Sequence, residues 1–251
     1  VWTQHDTVYA RSYVSFAKTG PLLLGLSNGS DQLVYSNDGL AYDHSTLPLS
    51  TTWKKVAVGG ELTDTIMCLA TGNANVYIQQ METAGDSTVV AGDAWTTVAT
   101  GATDTNWVGL AYGGGKWIAL SEDGTTVMST DNGVTWSAGA AVTPQAPEVY
   151  NDIAFGNNAW VATMAQSDRV IYSHNGTTWS DSQVVGDSGR EDWVVGYTGG
   201  LFHLVSATGT TASSDNAKYW QVRDSNTGMT SIAGGYLTSK PTFVMMNDAS
   251  S

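Results

Sequence analysis

A four-part segment recurs along the chain, and this recurrence limits the possible fold more than any other feature. Three stretches align almost without gaps: residues 107–142, 150–185 and 192–226. The first contains Leu110-Ala111-Tyr112-Gly113, then Trp117-Ile118-Ala119-Leu120, then Ser129-Thr130-Asp131-Asn132-Gly133-Val134-Thr135-Trp136. The second repeats this as Ile153-Ala154-Phe155-Gly156, Trp160-Val161-Ala162 and Ser173-His174-Asn175-Gly176-Thr177-Thr178-Trp179. The third gives Val195-Gly196-Tyr197, Phe202-His203-Leu204-Val205 and Ser213-Ser214-Asp215-Asn216-Ala217-Lys218-Tyr219-Trp220.

Weaker copies cover residues 13–58 and 65–98. The former carries Ser36-Asn37-Asp38-Gly39 and, after an insertion across 40–50, Trp53; the latter ends at Trp95. The chain ends supply another copy, with its first two strands from 231–251 and the remainder from 1–11, where Tyr9 stands for the final Trp. The marks Tyr9, Trp53, Trp95, Trp136, Trp179 and Trp220 are spaced 44, 42, 41, 43 and 41 positions apart, and 40 through the termini. A unit of roughly 40–45 residues holding four short strands is the signature of a propeller blade. No stretch shows a sustained helical period, and Gly, Asn and Asp turns separate the apolar runs. These features predict one all-β domain over 1–251, a six-bladed β-propeller with four antiparallel strands per blade. We label the strands a to d from the centre outward. The closing blade is expected to be shared by the N- and C-termini, which would protect the sheet edges.

The Ser-x-Asp-x-Gly-x-Thr-Trp pattern resembles the Asp-box, or bacterial neuraminidase repeat, of sialidases and many other propellers. Ser129, Asp131, Gly133 and Trp136 match it completely. Ser173, Asn175, Gly176 and Trp179 form a copy one residue shorter, and Ser213, Asp215 and Trp220 a copy with Ala217 in place of Gly. Ser36, Asp38, Gly39 and Trp53 are a degenerate copy. The resemblance implies that these residues are fold staples at the c–d turn. An Asp there accepts backbone N–H bonds, and Gly permits a positive φ.

Sialidases use three arginines to hold a carboxylate, a Tyr/Glu nucleophile pair and an acid/base Asp. This chain has four arginines, Arg11, Arg169, Arg190 and Arg223, and none lies in the family's Arg-Ile-Pro type motif. No catalytic set is expected on that ground, and a sialidase-like glycosidase ranks below the binding readings. The histidines are dispersed without ligand spacing, and no metal or cofactor is expected. The net charge of −13 lacks the Lys and Arg surplus that displaces counterions from nucleic acid. The apolar run 22–26 is too short to insert into a membrane. Cys68 lies in an apolar run and reads as a small core residue.

Binding remains. Just before successive a strands stand Trp107, Tyr150 and Trp193, with Asp104, Asp152 and Asp192 beside them. Aromatic faces next to carboxylates suit sugar stacking or a basic protein surface, and this set is the candidate ligand face. Runs such as Tyr112-Gly113-Gly114-Gly115-Lys116-Trp117-Ile118-Ala119 also resemble repeats of bacteriophage virion and bacterial surface proteins. That resemblance implies a non-enzymatic binding or structural module: a tail or capsid appendage, adaptor or receptor-binding part. Its setting would be a virion surface or extracellular space, and its partners protein subunits of a larger assembly or surface glycans. A carbohydrate-binding lectin of a bacterium or eukaryote is the alternative.

Overall fold

Short runs rich in Val, Ile, Leu and Trp, punctuated by Gly and Asn, fold into antiparallel meanders in a computed structural model of the chain. The structure describes residues 12–39, 41–60, 65–84, 88–91, 94–142, 149–184, 192–224, 231–237 and 240–246, and no helix occurs among them. Blade 1 consists of β1 (Tyr13–Thr19), β2 (Leu22–Ser27), β3 (Gln32–Ser36) and β4 (Asp43–Thr46). Blade 2 has β5 (Trp53–Gly59), β6 (Thr65–Ala70), the long β7 (Asn75–Ala84), β8 (Thr88–Ala91) and β9 (Thr96–Ala99), with β8 and β9 both paired to β7. Blade 3 consists of β10 (Trp107–Gly113), β11 (Lys116–Ser121), β12 (Thr126–Ser129) and β13 (Ser137–Ala138). Blade 4 is β14 (Tyr150–Gly156), β15 (Ala159–Met164), β16 (Arg169–Ser173) and β17 (Ser180–Gln183). Blade 5 is β18 (Val194–Thr198), β19 (Leu201–Val205), β20 (Thr210–Ser214) and β21 (Gln221–Asp224). A two-stranded hairpin, β22 (Ser231–Leu237) and β23 (Lys240–Met246), follows, and β22 lies against both β18 and β1.

The propeller and its four-strand meander are therefore as expected, but the blade number is not. Among the described residues there are five blades, not six, and the last sheet contains two strands. The part assigned to residues 1–11, including Tyr9, lies outside the described residues.

The sectioning of the first two blades also changes. Trp53 is not the closing aromatic of blade 1; it opens β5 and pairs across to Ala70 in blade 2. Tyr42 takes the closing position instead. It stands directly before β4, as Trp136 does before β13, and its hydroxyl donates to Gly39 O at 3.1 Å, as the Trp136 indole does to Gly133 O at 3.0 Å. Ser36 to Tyr42 spans six positions, as Ser173 to Trp179 does, so blade 1 has no insertion there. The even spacing of the marks therefore does not reflect the blades, since Trp53 belongs to blade 2. The step from Tyr42 to Trp95 is 53 positions, and β8 accounts for its length.

The core lies between blades. Each of four apolar clusters joins two neighbours: Leu24 and Leu33 meet Trp53 and Ile66, Met67 and Ile78 meet Trp117 and Val127, Leu120 meets Tyr150 and Trp160, and Val161 and Val170 meet Phe202 and Leu204. Burying both faces of each sheet explains why the b strands read as nearly continuous apolar runs.

The glycine that ends strand a sets the spacing between blades. A Cβ on Gly59, Gly113 or Gly156 would fall inside the ring of Tyr112, Phe155 or Tyr197, respectively, each from the next blade. The side chain is excluded there by space and not by backbone conformation, since none of these three has a positive φ.

Candidate functional site

The c–d turns behave as staples. In blade 3, Ser129 Oγ donates to Asp131 Oδ1 at 2.8 Å and accepts from Gly133 N at 2.8 Å, while Thr135 N and Oγ1 donate to the Asp131 carboxylate at 2.8 and 2.6 Å. Those bonds from Thr135, with the one from Ser129, hold the Asp131 carboxyl below the usual carboxylate range. Blade 4 repeats the turn with Asn175, whose Oδ1 accepts from Thr177 N and Thr178 N. Blade 1 repeats it with Ser36, Asp38 and Gly39. In blade 5 the turn uses Ser214 and Asn216 and not Ser213 and Asp215: Asn216 Oδ1 accepts from Lys218 N and Tyr219 N at 2.9 and 3.1 Å. The spacing from Ser173 to Trp179 pointed to Ser214, because Ser214 to Trp220 is also six positions. Ala217 then occupies the glycine place with φ +62°.

The opposite end of the ring, where d–a and b–c loops meet, was expected to present aromatic faces. It does not. Trp107 and Tyr150 are 1% exposed and Trp193 is 0% exposed. Their polar atoms face inward as well. Trp107 Nε1 donates to Asn73 O at 2.8 Å, and Trp193 Nε1 donates to Ser167 O at 3.0 Å. Trp53 does the same to Ser30 O at 2.7 Å. Each indole reaches the b–c loop of the preceding blade, and Tyr150 OH donates to Val142 O at 3.2 Å, just before its own blade. These aromatics are interblade ties and offer no face to a sugar ring.

The carboxylates separate into different roles. Asp152 is 2% exposed, and its Oδ1 pairs with Lys55 Nζ at 2.6 Å while accepting Ile153 N at 2.8 Å. Its Oδ2 accepts Val195 N at 3.3 Å. It therefore ties β5, β14 and β18 together. Gly109 on the intervening β10 leaves room, since a Cβ there would meet Ile153 N at 2.8 Å. Burying a charge demands such pairing. Asp104 accepts Asn106 N at 2.9 Å within its own loop. Asp123 stands near it. Burial pushes the Asp123 carboxyl up, but hydrogen bonds from Ser121 and Thr125 outweigh this and hold it below its ordinary value. Asp192 is exposed and accepts Gln166 N at 2.7 Å.

Of the six candidate residues, three line a depression of about 250 Å³ at this end: Asp192 on its rim, and Trp107 and Tyr150. Other groups around it include Lys54, Asn106, Glu122, Val149 and Asn151. Sequence reasoning missed all five. A signal existed: Lys54, Asn106, Val149 and Asn151 are immediate neighbours of the buried aromatics Trp53, Trp107 and Tyr150, and adjacent residues of an extended chain point to opposite sides. Lys54, Asn106 and Glu122 are exposed and form no side-chain hydrogen bond among the described residues. Among those residues there is also no group of three His, Cys, Asp or Glu placed to hold a metal ion.

No family model and no curated protein matches the sequence. Solved structures do match. A streptogramin B lyase has a TM-score of 0.69 at 11% identity, covering 92% of this chain and 76% of that one. YCF48 from Cyanidioschyzon merolae has a TM-score of 0.59 at 12% identity, covering 92% and 79%. A nidogen/laminin complex has a TM-score of 0.62 at 12% identity, covering 82% and 76%. The chain is a β-propeller. Identities this low show the fold alone. They also overturn one expectation. The missing sialidase arginines had placed the chain outside the enzymes, but propellers of this shape include lyases, among them virginiamycin B lyase from Staphylococcus aureus at 9% identity. A propeller without that arginine set is thus not excluded from enzymatic chemistry.

Proposed function

We propose that this chain is a binding propeller whose d–a and b–c face docks a protein partner. The observation that carries the reading is the rim of the depression. Lys54, Asn106, Asn151 and Asp192 come from four successive blades and surround a floor already closed by buried aromatics. Mixed charge, amide groups and the exposed Val149 suit a protein surface. A glycan would need a stacking platform, and Trp107, Tyr150 and Trp193 cannot supply one. The structures of YCF48 bound to D1 peptide and of nidogen with laminin lend support, because the same fold binds polypeptide in both. Within this proposal we retain an assembly role in a virion or another extracellular particle, on the resemblance of the blade repeats and c–d turns to Asp-box propellers and virion proteins.

The test places a photo-crosslinking residue at Asn106 in the native particle or host and, as a control, at Thr130 on the opposite end. A discrete protein adduct from position 106 and none from 130 is expected. The adduct's affinity should fall in the Lys54→Ala, Glu122→Ala double variant without a change in Tm, and should weaken with added salt. Adducts of equal yield from both positions, or glycan-array binding that this double variant abolishes, would sink the reading.

A further inference from the structure

The depression on the loop face holds about 250 Å³, below the roughly 300–1,000 Å³ of clefts that enclose a small-molecule ligand. One long side chain suits a space of that size. Its floor is formed by the buried aromatics Trp107 and Tyr150, and Val108 and Val149 supply apolar walls. The rim is held in place by bonds between loops. Glu122 N donates to Asn106 O at 2.9 Å, Tyr150 N to Glu122 O at 2.9 Å, Ala165 N to Val149 O at 2.8 Å, and Gln166 N to Asp192 Oδ1 at 2.7 Å. Glu122 and Asp192 therefore stand at the two ends of one tied strip that passes over blade 4. A seat fixed before binding loses little freedom when it is filled.

The groups on the rim accept more than they donate. Glu122 forms no side-chain hydrogen bond among the described residues, and Asp192 holds Gln166 N through Oδ1, which leaves Oδ2 to accept. Asn151 donates Nδ2 to Trp193 O at 2.9 Å, which leaves its Oδ1 to accept as well. Two carboxylates thus face a single ammonium, that of Lys54. Beside Glu122 in the chain, Asp123 meets the side chain of Asp104, so negative charge gathers at this corner of blade 3. The net charge of −13 adds a long-range pull on any approaching cation. The occupant that matches has several N–H donors at the end of an apolar stem. A guanidinium presents five in a planar fork, and its methylenes can lie against Val108 and Val149.

We propose that the partner inserts a single arginine side chain into this depression, with Glu122 and Asp192 as counter-charges and the Asn106 and Asn151 amides as further acceptors. The proposal rests on the docking reading above and names the residue that enters the site. Lys54, on the blade 2 side of the rim, is left for a carboxylate flanking that arginine, so the segment recognised carries both signs of charge.

The experiment uses the full chain and Nα-acetylarginine methylamide, followed by NMR through the side-chain amides of Asn106 and Asn151. The arginine probe should shift both signals saturably at millimolar concentration. The citrulline analogue keeps the shape without the charge and should bind about fivefold more weakly, and the glutamate analogue should not bind. Glu122→Gln and Asp192→Asn should each weaken the arginine probe about threefold at unchanged Tm, whereas Asp215→Asn at the other end of the ring should leave it as it was. In the partner crosslinked through position 106, the adduct should map to a segment carrying arginine, and changing that arginine to Met should weaken the complex about tenfold. Citrulline binding equal to arginine, binding indifferent to both carboxylate variants, or an adduct segment without arginine would overturn the proposal. The crosslink tests docking by itself and the probe tests the arginine socket by itself, so either can fail while the other stands.

Discussion

Gly113, at the inner seam between blades, and Gly133, in an outer c–d turn, both recur around the ring, and they recur for opposite reasons. Gly113 has an ordinary backbone but no room, because the Phe155 ring of the next blade fills the space beside it. Gly133 has φ +89°, and its nearest neighbours are the flexible ends of Met67 and Ile78, at 2.6 and 2.7 Å from a built Cβ. Blade 5 shows that the second kind of position accepts a side chain, since Ala217 sits there with φ +62° and is fully buried. A glycine kept for space allows no substitution without moving a blade. A glycine kept for conformation costs only the strain of the left-handed region, about 1–2 kcal/mol.

That contrast orders the expected losses of stability, measured by denaturant unfolding. Trp107→Ala should cost most, about 3–5 kcal/mol, because it empties an inner seam and orphans Asn73 O. Gly113→Ala should follow at about 3 kcal/mol, the upper end of overpacking costs. Gly133→Ala should cost about 1–2 kcal/mol, since Met67 and Ile78 can rotate away. Ala217→Gly should shift stability by less than about 1 kcal/mol, because relief of strain and loss of a buried methyl oppose each other. A Gly133→Ala loss larger than that of Gly113→Ala would break the comparison outright.

The smallest effect concerns acid. The Asp131 carboxyl is held below its ordinary value, so its contribution is complete above about pH 4 and is lost as the pH falls through its lowered folded value. Asp131→Asn copies the arrangement of Asn175 in blade 4 and should flatten the acid limb of the stability curve. An unchanged limb would show that the turn's bonds do not discriminate between the charged and neutral forms.

The sequence was most legible where a residue's identity fixes its geometry. The turns of blades 3 and 4 could be placed from Ser, Asp or Asn, Gly and Trp, because those types are needed for the bonds they form. Blade 1 was misread because Tyr42 can substitute for Trp by donating the same bond to the same carbonyl, while Trp53, a larger signal, belongs to a different position. In blade 5 the Ser213-Ser214 pair left the register open by one residue, Ser213 matching the seven-position spacing of blade 3 and Ser214 the six-position spacing of blade 4, and the hydrogen bonds choose Ser214. The candidate face failed for another reason. Position in the repeat locates an aromatic at the start of strand a but does not say which of two adjacent residues turns outward. The bulges between Trp53 and Lys55, Trp107 and Gly109, and Tyr150 and Asp152 decide that, and no local residue pattern announces them.

The aromatic interblade ties run the same way round. Trp53 reaches back to Ser30, Trp107 to Asn73 and Trp193 to Ser167; Tyr112, Phe155 and Tyr197 settle beside glycines of the blade before. The blades overlap like the planks of a clinker hull, each lapped onto the one laid earlier. For a chain emerging from the ribosome, each of these aromatic sockets is made before the ring that enters it, whereas the polar ties from Lys116 to Asn175 O and from Asn157 to Asp215 O wait for the blade that follows.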